Sequence, residues 1–138
     1  MNSDNGINAD NAYQPSVLIV EDSPPQALKT KLTLENSGCE VQWADTGLGG
    51  LELANQKSFD LIVLDIELPD INGFEVCKRL KADPELADIP VIMMTTLDQA
   101  ENALSGLEAG AIDYIPKDAF ADAILVETVR QMMITDNK

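Results

Sequence analysis

The 138-residue chain has no histidine, two cysteines, one tryptophan and nine basic residues. Without histidine, and with Cys39 and Cys77 far apart, there is no metal-binding knuckle. The two cysteines read as buried thiols rather than a disulfide or redox pair. The 9 Lys+Arg stand against 24 Asp+Glu, a formal net charge of -15, and no basic residue lies between Lys81 and Lys117. A nucleic-acid face needs clustered cations to neutralise phosphates, so this chain does not offer one. The same repulsion disfavours an anionic membrane surface, and no apolar run approaches the ~20 residues of a spanning helix. The stretch from Met1 to Ser16 lacks the basic start and apolar centre of a signal peptide. The cytoplasm is the expected compartment.

What is present is enough for a core. Hydrophobic residues make up 45% of the chain, and one domain of this size buries roughly two-thirds of its unfolded surface. Residues 1–15, rich in Asn, Asp and Ser, read as a disordered arm. Residues 16–134 read as one domain, and 135–138 as a short tail. Within the domain, apolar runs alternate with segments of helical spacing. Val17–Val20, Leu61–Leu64 and Val91–Met94 are continuous runs, as expected of parallel strands covered on both faces. Cys39–Ala44 and Ala111–Ile115 are more mixed, as edge strands are.

Helix starts lie between these strands. Ser23 precedes Pro24 and Pro25, which fit a first turn because their missing N–H groups go unneeded there. Leu48, Leu51 and Leu53 suggest a second helix, although Gly49 and Gly50 weaken it. Asn72 and Gly73 open a third helix carrying Phe74, Val76, Cys77 and Leu80. Asp98 and Glu101 form a capping-box pattern ahead of Leu104 and Leu107. Asp118 reads as the cap of a last helix with Ile124, Leu125, Val129 and Met132. The sum is a (βα)5 chain. Right-handed crossovers favour an α/β, flavodoxin-like doubly wound five-stranded parallel sheet in the order 2-1-3-4-5.

Ligands of such sheets bind beyond the carboxyl ends of the strands. Strand one ends in Glu21 and Asp22, strand three in Asp65 and strand four in Thr95 and Thr96, while Lys117 follows strand five. Three nearby carboxylates repel one another unless a cation compensates, and a hard divalent ion such as Mg²⁺, with Mn²⁺ as a substitute, suits oxygen donors. Thr95 could donate its hydroxyl, and Lys117 its charge, to other oxygens of a phosphoryl group. With no histidine available, Asp65 is the best-placed nucleophile. Singly, each residue has a plain structural role open to it: Asp22 as a helix cap, Thr95 as a strand end, Lys117 as a solvated loop charge.

The stretches VLIVEDSP, FDLIVLDIELPDINGFEVCKRLK, IPVIMMTT and GAIDYIPK together resemble a two-component response-regulator receiver domain, over about residues 16 to 134. The resemblance implies that Asp65 accepts phosphate from a phosphohistidine donor, a histidine kinase or histidine phosphotransfer domain. It implies a metal site made by Glu21, Asp22, Asp65 and the backbone carbonyl of Glu67. Thr95 and Lys117 would bind the phosphoryl group, and Tyr114 would turn inward as Thr95 moves. The domain would catalyse its own phosphorylation and dephosphorylation without being a conventional enzyme. Its switch would act through the face formed by the fourth helix, fifth strand and fifth helix, toward an output protein or domain, as a monomer or a phosphorylation-dependent dimer.

Three positions depart from the family pattern. Asp118 stands after Lys117 where proline is usual, so that peptide bond is expected to be trans or its loop rearranged. Thr96 replaces a smaller residue, and Glu67 adds a carboxylate at the rim. Two rivals share the fold or the carboxylates: a Mg²⁺-dependent phosphatase using Asp65 and Glu67, and a flavin carrier, against which Glu21 and Asp22 in the first loop argue. A third reading keeps the receiver fold but only as a docking module.

Overall fold

Residues along a strand point alternately to opposite sides of the sheet, and the continuous apolar runs are thereby sorted into two separate cores. The computed structural model describes residues 14–96, 108–118 and 120–136, apart from the side chains of Thr95 and of 133–136. It contains strands β1 (Ser16–Val20), β2 (Glu40–Ala44), β3 (Leu61–Asp65), β4 (Val91–Thr95) and β5 (Asp113–Pro116). The helices are α1 (Pro24–Asn36), α2 (Gly47–Gln56), α3 (Gly73–Ala82) and α4 (Ala121–Asp136). All strand pairs are parallel, in the order β2-β1-β3-β4-β5.

The expected sheet and strand order are thus present, with the first, second, third and last of the expected helices. The expected fourth helix, with Asp98, Glu101, Leu104 and Leu107, lies outside the described residues, as do positions 1–13 of the arm. Pro15 is buried, and its carbonyl accepts a hydrogen bond from the amide of Glu40. α4 continues to Asp136, past the expected boundary at 134. Among the described residues, no helix is long and apolar enough to cross a membrane.

Leu18, Val20, Ile62, Leu64, Val91 and Met93 face α2 and α3, packing with Ala54, Val76, Cys77 and Leu80. Their neighbours Val17, Ile19, Leu61, Val63, Ile92 and Met94 face α1 and α4, packing with Leu34, Leu125 and Val129. Both faces being covered, β1, β3 and β4 are apolar throughout Val17–Val20, Leu61–Leu64 and Val91–Met94. The edge strands are covered less, and in β2 only Val41 and Ala44 are buried. β2 begins at Glu40 and β5 runs from Asp113 to Pro116, each starting later than the apolar content suggested. Gly50 turns out to serve α2 rather than only weaken it: a Cβ there would stand 2.7 Å from a methyl of Val20 on β1. Cys39 and Cys77 are free and buried, and burial pushes both thiols up.

The helix starts show which cap signals were local. Asn72 accepts the amide of Glu75 at 2.9 Å, and Thr46 caps α2 through the amide of Gly49 at 2.9 Å. Ser23 occupies the cap position of α1, but its side chain makes no cap bond. Asp118 lies three residues ahead of Ala121, the first residue of α4. Its carboxylate accepts the amide of Phe120 at 2.8 Å and closes a turn ahead of the helix, because an Asp side chain reaches the amide two residues on as readily as a helix start.

Candidate functional site

β1 and β3 are neighbours at the centre of the sheet and stop level with each other, since Val20 pairs with Leu64. The residues that follow, Glu21 after β1 and Asp65 at the end of β3, therefore emerge side by side. Each is only 6% exposed, whereas Asp22 is exposed. Carboxylate oxygens of Glu21, Asp22 and Asp65 all lie within 4.8 Å of one another.

Lys117 enters from the far side, just beyond β5. Its ammonium donates to Glu21 Oε1 at 2.7 Å and to Asp65 Oδ2 at 3.0 Å. Glu21 also accepts the amide of Ser23 through Oε2 at 3.2 Å, and Asp65 accepts the amide of Glu67 through Oδ1 at 3.3 Å. Burial pushes the Glu21 carboxyl above its ordinary value; the bond from Lys117 opposes this and the charge of Asp65 adds to it. Burial alone would pull the Lys117 ammonium down, but its two carboxylate partners outweigh it and hold Lys117 above its usual value. One ammonium does not balance three carboxylates, so the ionised cluster keeps an excess negative charge. That excess and the all-oxygen donor set fit a hard divalent cation.

The departure at Asp118 leaves this geometry intact. No peptide bond among the described residues is cis, and Lys117 still reaches both acids. Thr95 ends β4 beside β5, paired with Pro116; its side chain is not described. Thr96 is exposed and so is Glu67. Tyr114 lies in β5 opposite Met93 and packs, half-buried, on the α2–α3 side of the sheet. The loop after Asp65 is drawn back under the strand by the amide of Gly73, which donates to the carbonyl of Ile66 at 2.8 Å. Only glycine fits there, because a Cβ would run into the carbonyl oxygen of Asp65.

Two participants were not evident in the sequence. Trp43 donates its indole N–H to the carbonyl of Glu21 at 2.7 Å. Asp70, in the loop after Asp65, accepts the amides of Gly47 and Leu48 at 2.8 Å each, joining that loop to the start of α2. These amides, Leu48 first, hold the Asp70 carboxyl below its usual value. The only advance signal for Trp43 was its place in the next-to-last position of a strand that ends beside Glu21. For Asp70 it was a short acid in a turn sequence, Asp70-Ile71-Asn72-Gly73.

Comparison with known proteins agrees with this arrangement. The family model of the response regulator receiver domain matches residues 17–130. The chain is 39% identical over 122 residues to the DNA-binding dual master transcriptional regulator RpaA of Synechocystis sp., a match covering 88% of this chain and 51% of RpaA. It is 38% identical over 109 residues to Protein PilH of Pseudomonas aeruginosa, covering 79% of this chain and 90% of PilH. The chain thus spans about half of RpaA but most of PilH. Among solved structures, the chemotaxis response regulator CheY4 of Vibrio cholerae superposes with a TM-score of 0.79 at 29% identity, over 87% of this chain and 99% of CheY4.

Proposed function

The chain belongs to the response regulator receiver domain family of two-component systems, and from that premise we propose that Asp65 is its phosphoacceptor, charged by a phosphohistidine on a histidine kinase or phosphotransfer domain in the cytoplasm. The observation that carries this reading is the grip of Lys117 on Glu21 and Asp65, which brings three distant segments to one point on the carboxyl edge of the sheet.

Glu21, Asp22, Asp65 and the backbone carbonyl of Glu67 would hold Mg²⁺ or Mn²⁺. The bound ion would supply neutralisation of the negative charge on the transferring phosphoryl group. A carboxylate oxygen of Asp65 attacks phosphorus as the bond from phosphorus to the donor imidazole breaks, and the imidazole leaves with its electron pair. Lys117 is placed to exchange its contact with Asp65 for one with a phosphoryl oxygen, remaining tied to Glu21. Thr95 contributes its hydroxyl to another phosphoryl oxygen, and Tyr114 follows it inward, biasing the face toward an output protein or domain. Hydrolysis of the aspartyl phosphate returns the domain to its starting state.

The test is to incubate the protein with Mg²⁺ and a small acyl phosphate and read its intact mass. One added phosphoryl group is expected, requiring both Mg²⁺ and Asp65. Addition to Asp65→Ala would overturn Asp65 as the acceptor, and none to the wild type would overturn the reading and leave a docking module. Glu67 lies at the rim, where it can orient the hydrolytic water or repel an anionic phosphodonor. Glu67→Ala is expected to change the decay of the phosphorylated protein, and an unchanged decay would remove Glu67 from the mechanism.

A further inference from the structure

The phosphotransfer reading makes no use of Trp43, the only tryptophan in the chain. It is 40% exposed on the edge strand β2, yet its indole N–H is directed at the backbone carbonyl of Glu21, 2.7 Å away. The amide of Glu21 donates in turn to the carbonyl of Ala44 at 3.0 Å. β2 therefore holds residue 21 on both sides, through its main chain and through a side chain.

The Glu21 carbonyl belongs to the peptide unit that leads into Asp22. Because that unit is planar, holding its oxygen also sets the direction in which Asp22 leaves it. Asp22 is the exposed member of the acidic group, and Lys117 is bound to the other two. Glu21 and Asp65 are oriented through their side chains, whereas Asp22 depends on the backbone from which it springs.

We propose that Trp43 is a positioning residue for the divalent-cation site, its indole N–H setting the Glu21–Asp22 peptide so that Asp22 can share the ion with Asp65. This rests on the reading of these carboxylates as the cation site. A hydrogen bond of this kind contributes a factor of about two to ten to an equilibrium, so the bond should appear in cation affinity while the chemistry at saturation is retained.

The experiment replaces Trp43 with benzothienylalanine, which has the same shape but sulfur in place of the N–H, and, as a control, with azatryptophan, which keeps the N–H. The probe is Mn²⁺ alone, with free ion counted by electron paramagnetic resonance in the absence of any phosphodonor. The expected result is Mn²⁺ affinity about two- to tenfold weaker for the sulfur isostere and restored by azatryptophan. The phosphorylation rate at saturating Mg²⁺ and the urea midpoint should stay near those of the wild type. Equal affinity in the isostere and the wild type would overturn the proposal. So would weaker affinity with an equal fall in the urea midpoint, which would make Trp43 a packing residue. A wild type that binds Mn²⁺ no better than Asp22→Ala would instead overturn the cation site itself, an outcome distinct from the failure of Trp43 alone.

Discussion

Two lysines are held by this fold at opposite edges of the sheet, and they are held differently. Lys117, at the carboxyl edge, donates to the carboxylates of Glu21 and Asp65. Lys81, near the C-terminal end of α3, donates to the main-chain carbonyls of Ala87 at 3.0 Å and Ile89 at 2.7 Å, in the segment that leads into β4. Both are partly buried, but Lys117 joins segments 96 and 52 positions apart, whereas Lys81 closes a local span of 6 to 8 positions. Lys81 works as a donor to groups that every residue possesses. Lys117 works as a charge among charges, and its partners have oxygens that can be offered elsewhere. The first arrangement is architecture; the second can be exchanged during a reaction.

The strongest way to break that distinction is Lys117→Met. It removes the cation from a partly buried acidic group, and loss of one such charge-stabilising donor typically costs about 10²–10³ in rate. Phosphorylation by an acyl phosphate should fall by about that factor, and the melting temperature in metal-free buffer should fall as well, because Glu21 and Asp65 lose their counter-charge. Near-normal phosphorylation would make Lys117 as structural as Lys81.

Lys81→Met is the sharper counterpart. Methionine keeps the aliphatic stem that lies against Gly110 and removes only the donors to Ala87 and Ile89. Unfolding stability should fall by about 1–3 kcal/mol, read from the urea midpoint, with phosphorylation per folded molecule unchanged. A rate loss as large as that of Lys117→Met would collapse the comparison.

The smallest effect concerns Asp70, the reverse of Lys81: a carboxylate that holds main-chain amides. Its folded pKa lies below its ordinary value, so its contribution is present above the unfolded pKa and is lost as pH falls through the folded one. Asp70→Asn should cause a slight loss of stability near neutral pH and a shallower fall of the urea midpoint on acidification below about pH 4. An unchanged acid limb would show that the amides of Gly47 and Leu48 gain nothing from the charge.

The same division explains what could be read from the sequence. Leu61–Leu64 announced a strand covered on both faces, and the polar residue directly after each apolar run announced the carboxyl-edge group of Glu21, Asp22, Asp65 and Lys117. Those signals lie in side-chain type and short spacing. Trp43, Asp70 and Lys81 act on backbone groups, which carry no residue identity, and Trp43 finds its carbonyl 22 positions away. Nothing local marks such an acceptor. Asp118 is the local case: its side chain closes a turn two residues ahead of itself, just before α4, and the same residue type signals both a turn and a helix start.

Lys117 is 96 positions from Glu21 and 52 from Asp65, and a chain is made from its N-terminus. During synthesis the two acids therefore exist before their lysine does. A nascent chain that has completed β1 and β3 but not β5 sets Glu21 and Asp65 side by side with no ammonium between them, and their repulsion works against closing that edge of the sheet. The last strand brings the missing charge with it. Arrival of β5 and assembly of the acidic group are then one event, and a stalled product that ends before β5 has Asp65 without the ammonium that joins it to Glu21.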